Sequence, residues 1–165
     1  MKAIILFLLA CSFAACTTRP LQTVTSVDLN RYAGTWYEIA RLPNSFEKGL
    51  DCVTATYTLR PDGDIDVLNK GRTSEKLKEA NGKAWVVSPG KLKVRFFWPF
   101  TGDYYIMALD ENYHHVLIGD PGREYLWILC REKTLSPSIY TDLLSLAAKE
   151  GFDTSQVYKT LQQCP

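Results

Sequence analysis

Histidine is nearly missing from this chain. Its 165 residues hold two, His114 and His115. As neighbours in an alternating segment they point to opposite faces, so they do not chelate one ion together. The five cysteines contain no CxxC pair and no His/Cys cluster, which leaves zinc without a ligand set. No metal and no other cofactor is expected. Charge of one sign is not in excess either, with 19 Lys and Arg against 18 Asp and Glu. With no basic stripe, nucleic-acid binding has no electrostatic footing. A G-x-S-x-G elbow, a phosphate-binding glycine loop and paired-carboxylate spacing are also absent, so nothing points to an enzyme.

A strongly apolar run occurs at the start, in "MKAIILFLLACSFAAC". One basic residue, an apolar stretch and small residues Ala14 and Ala15 before Cys16 give residues 1–15 the layout of a signal peptide, too short to span as a helix. Its end resembles a bacterial lipobox, which makes Cys16 the lipidated N-terminus. "LLAC", ending at Cys11, is a rival, and plain cleavage without lipid is the third reading. Thr17 after Cys16, in place of an aspartate, implies sorting to the outer membrane of a Gram-negative cell. A linker over 16–27 and one domain over 28–165 complete the organisation. Loss of Lys2 leaves 18 basic against 18 acidic residues, so membrane attachment falls to the lipid rather than to protein charge.

From Gly34 onward, short alternating segments are separated by turn signals. In "CVTATYTL", Val53, Ala55, Tyr57 and Leu59 share one face and three threonines the other. "PDGD" at Pro61–Asp64 is a hairpin turn, and Ile65, Val67 and Asn69 continue the partner strand in phase. With "TWYEIA", "GKAWVV", "KLKVRFFW", "DYYIMALD", "HHVLIGD" and "EYLWILCR" the count reaches eight strands, an antiparallel meander that forms either a sandwich or a closed barrel. One helix follows, at "SPSIYTDLLSLAAKEG". Ser136 caps it, Pro137 fits its first position, Gly151 ends it, and Ile139, Leu143, Leu146 and Ala147 form an apolar stripe.

Parity along "REYLWILCR" puts Tyr125, Trp127, Leu129 and Arg131 on one face, and Leu126, Ile128 and Cys130 on the other. An arginine in phase with tryptophan needs a partner, and an indole face supplies one. Closing an eight-strand barrel brings the first and last strands together, so Arg131 is expected to lie across Trp36 at the closed end. Gly34 then serves as the residue that lets the chain pass close beneath it. Above this floor, in-phase residues are expected to line an interior: Tyr57, Asn69, Val94, Phe96, Tyr125 and Trp127. Glu38, in phase with Trp36, also points inward, and its carboxylate disfavours a deep bare fatty-acid carboxylate nearby.

"GTWYEIA", "ALDENY" and "WILCR", in that order, resemble the three signature regions of the lipocalins, with Leu109 and Glu111 standing where that family has threonine and tyrosine. The resemblance covers essentially the whole mature chain, and is nearest to the bacterial outer-membrane lipoprotein branch, with the apolipoprotein D type next. It implies an all-β fold: an eight-stranded antiparallel up-and-down barrel with the C-terminal helix packed outside. It also implies a disulfide between Cys52 and Cys164, although wholly free thiols are the alternative. Cys130, outward by parity, reads as a small buried apolar residue and not as the inward cysteine that some lipocalins use for isomerisation.

The role implied by the resemblance is a membrane-anchored, periplasm-facing carrier or store for fatty acids or lysophospholipids, serving envelope maintenance. Another small apolar ligand is an alternative, as is an interior packed with its own aromatics. "FFWPF" at Phe96–Phe100 reads as a hairpin tip with exposed rings, free to touch a membrane or a second copy in a homodimer, or else as rings folded over a barrel end. A scaffold module acting through this tip with an empty barrel is the rival function.

Overall fold

The computed structural model describes residues 19–164. The expected signal peptide over 1–15, Cys11 and Cys16 lie outside the described residues. Eight strands run β1 (Gly34–Arg41), β2 (Asp51–Leu59), β3 (Ile65–Arg72), β4 (Leu77–Ser88), β5 (Lys91–Phe97), β6 (Phe100–Leu109), β7 (His115–Gly119) and β8 (Leu126–Cys130). Each pairs antiparallel with the next, and β1 pairs with both β2 and β8, which closes the barrel. A two-residue strand, β9 (Tyr158–Lys159), adds to the end of β1 at Ala40 and Arg41. Helix α1 (Leu29–Tyr32) crosses below the barrel, with the Asp28 carboxylate accepting from the Asn30 and Arg31 amides.

Two apolar masses result from the alternation. Inside, Trp36, Ala55, Tyr57, Val67, Leu92, Ile106, Ile118 and Leu129 are buried together. Outside, Leu117, Leu126 and Ile128 meet Leu143 and Ala147 of helix α2 (Pro137–Lys149). That helix is capped by the Ser136 hydroxyl, opens on proline, and is followed by Gly151 at φ +93°, as its sequence requires. Leu21 is buried in the outer mass, and the Val24 amide donates to the Ile106 carbonyl, so residues upstream of α1 lie against the wall.

Strand β4 is longer than its sequence suggests. Asn81-Gly82 reads as a break, yet the ladder with β3 runs through it, pairing Asn69 with Ala80 and Val67 with Gly82. A Cβ on Gly82 would sit 2.7 Å from the Phe96 ring, so this glycine makes room for an aromatic across the sheet rather than for a turn. The turn falls instead at Thr73–Lys76, where the Thr73 hydroxyl accepts from the Glu75 and Lys76 amides. Likewise "SQVYK" (Ser155–Lys159), which reads as a short extended piece, begins in a 3-10 turn at Thr154–Gln156 and is extended only in β9.

Candidate functional site: a barrel cavity open at one end

The closed end is built around Arg131. Its guanidinium lies 3.9 Å from the Trp36 ring centroid. It donates to the carbonyls of Arg31, Tyr32, Ala33, Thr35 and Tyr113, at 2.8–3.3 Å. Trp36 Nε1 donates to the Tyr32 carbonyl at 2.8 Å, so both polar edges of the plug are satisfied. Gly34, at φ +94°, passes 3.3 Å from Arg131 Nη1 measured from where a Cβ would stand. Both the left-handed backbone and the close approach favour glycine there. The turn of "ALDENY" holds without the family's threonine and tyrosine, because the Asp110 carboxylate accepts from the amides of Asn112, His114 and His115.

Above the plug three tyrosines form a hydroxyl chain. Tyr104 Oη bonds Tyr32 Oη at 2.6 Å and Tyr57 Oη at 2.9 Å. Burial holds all three hydroxyls neutral, pushing Tyr57 up to about 12 and Tyr32 and Tyr104 well above their usual range. Tyr32 and Tyr104 are additions to the expected lining. Only the count of aromatics hinted at them.

Over this floor stands a cavity of about 720 Å³, within the range of small-molecule sites. Glu38, Tyr57, Asn69, Val94, Phe96, Tyr125 and Trp127 all line it. Tyr125 and Trp127 are stacked at 5.9 Å, and Phe46 from the β1–β2 loop leans over both. Asn69 Oδ1 is buried with no hydrogen-bond partner.

Near the mouth lies a charged cluster that parity does not foresee. Strict alternation puts Arg41 outside, opposite Glu38. A bulge intervenes: Glu38 pairs with Leu129 and Ala40 with Ile128, so Ile39 is an extra residue and Arg41 turns inward. Arg41 donates to Glu38 Oε1, to Thr160 Oγ1 at 3.0 Å, and to the Glu47 and Leu50 carbonyls at 2.9 Å. Glu47 Oε2 in turn accepts from Trp127 Nε1 at 3.0 Å. Burial, and next the Glu47 charge, raise the Glu38 carboxyl above its ordinary range despite Arg41. The C-terminal tail completes the cluster, since Gln162 donates to the Glu38 and Val53 carbonyls and Cys164 is bridged to Cys52. Cys130, the free cysteine among the described residues, is buried on the outer face, where desolvation pushes its thiol up.

The family model described as "Lipocalin-like domain" matches residues 27–162. The chain belongs to the lipocalin family. Outer membrane lipoprotein Blc of Escherichia coli K12 is 43% identical over 155 residues, covering 91% of this lipocalin and 88% of that protein. Blc of Vibrio cholerae is 43% identical over 171 residues, covering 99% and 100%. Bovine apolipoprotein D is 34% identical, covering 91% and 84%. Among solved structures, insecticyanin from the tobacco hornworm superposes with a TM-score of 0.71 at 19% identity, over 86% of this lipocalin and 84% of that chain, a likeness of fold.

Proposed function

We propose that this lipocalin binds and stores or carries fatty acids or lysophospholipids from an outer-membrane anchor at Cys16, facing the periplasm. The observation that carries the reading is the open 720 Å³ cavity, walled by Val53, Val67, Val94, Phe96 and Trp127. Each methylene buried there contributes ~0.8 kcal/mol, so a chain of about a dozen gains on the order of 10 kcal/mol before ordering costs. The polar groups inside mostly bond one another, which suits holding a ligand rather than transforming it. Lys70 and Lys78 line the mouth, where a phosphate or carboxylate head would emerge. The anchor is supported by the leader of residues 1–15 and by the name of the Blc relatives. No helix among the described residues is long and apolar enough to cross a membrane.

Native mass spectrometry of the gently extracted protein tests the reading: a co-purifying acyl lipid is expected. Displacement of a fluorescent fatty acid by lysophospholipid then ranks the heads. An empty barrel that also fails to take up any acyl probe would end it.

A further inference from the structure

The turns β1–β2, β3–β4, β5–β6 and β7–β8 all stand at the cavity mouth, and three of them carry exposed apolar residues. Phe97, Trp98 and Phe100 are 75%, 82% and 76% exposed, and Phe46 and Leu77 project from the neighbouring connections. Five of the nine large hydrophobic residues exposed among the described residues therefore ring one end of the barrel. The chain's N-terminal side leaves at the same end. The Arg19 carbonyl accepts from Arg123 Nη2 on the β7–β8 turn, and Arg19 pairs with Glu150 at 3.1 Å. Cys16 is three residues upstream, a reach of at most ~11 Å.

We infer that the rim is a membrane-docking surface: Phe97, Trp98 and Phe100 enter the interface of a lipid bilayer, so the cavity opens onto the lipid rather than into water. The inference builds on the anchor proposed above and adds an orientation. An anchor beside the β7–β8 connection and an apolar tip on the adjacent β5–β6 connection hold the barrel at two points on the rim of the mouth. A tryptophan at such a boundary keeps its ring in the apolar zone and its N–H among head groups. A second copy fits less well. The three rings of the tip offer roughly 450–750 Å², below the ~800 Å² per partner of a stable interface.

The test uses the acylated protein reconstituted into phosphatidylethanolamine–phosphatidylglycerol vesicles. Trp98 is read as the difference between wild type and Trp98→Phe, which removes the signal of Trp127 inside the cavity. Brominated acyl chains are expected to quench the Trp98 share by roughly twofold and iodide to lose access to it, whereas Phe97→Ser/Phe100→Ser restores iodide access. An unchanged urea midpoint shows that the double variant is folded. Equal iodide access with and without vesicles overturns the proposal. So does protection that grows with protein concentration in the absence of lipid, which would assign the tip to a second copy. Intact mass reports acylation and probe displacement reports the cavity, so failure of the anchor or of the carrier reading is seen separately from failure of the rim.

Discussion

At the closed end Arg131 serves five backbone carbonyls and has no carboxylate partner among the described residues, whereas near the mouth Arg41 lies between Glu38 and Glu47. Carbonyls carry no net charge, so the plug needs only a cation and a ring to stack on. Its bonds fasten α1, the start of β1 and the β6–β7 turn into one base. The cluster at the other end instead ties a loop and a tail to the wall through charged side chains. The base is therefore a fixture. The mouth holds a group, Glu38, whose protonation depends on pH.

The largest effect expected from breaking this contrast is at the base. Trp36→Ala empties a fully buried site and should cost about 3–5 kcal/mol by urea denaturation. Next is the tail: the Cys52→Ser/Cys164→Ser pair opens a loop with a separation of 112 residues and should cost ~2–5 kcal/mol, read from the same midpoints. Trp127→Ala separates the two ends by function. It should weaken an acyl probe by roughly tenfold, about 1.4 kcal/mol, while leaving α1 and the Trp36 environment unchanged. Unaltered affinity for every acyl ligand would refute its place in the binding wall.

A further effect is one of pH. The Glu38 carboxyl is pushed up to about 8, chiefly by burial and then by Glu47. Its folded form thus holds the proton more tightly than the unfolded chain does. The associated stabilisation is fully present below the ordinary value of 4.5 and is lost as pH rises through about 8. Glu38→Gln should flatten the fall in urea midpoint between those values. A slope identical to wild type would show that another group sets it.

Sequence made the base easy to read, because a glycine, an indole and a guanidinium at three points in phase have few other ways to be satisfied. The seven lining residues followed from the same period of two. Arg41 escaped because a single extra residue at Ile39 reverses parity, and alternation has no term for a bulge. Glu47 and Phe46 escaped because they sit on a loop, whose position depends on the Trp127 and Tyr125 they meet. Gly82 follows an asparagine as a turn glycine would, yet its role is to leave space for Phe96. The exposed rings of "FFWPF" were visible as a composition, but only the closed barrel put them beside the mouth.

The surplus residue in β1 has a use beyond turning Arg41 inward. The Ile39 carbonyl accepts from the Thr160 amide at 3.0 Å, so the slack in the wall becomes the mooring for the tail. Deleting Ile39 would leave a regular ladder with Glu38 and Arg41 still on the same side, yet Thr160 would lose this backbone acceptor. The C-terminal strap would then hang by the bonds of Arg41 and Gln162 and by the Cys52–Cys164 bridge.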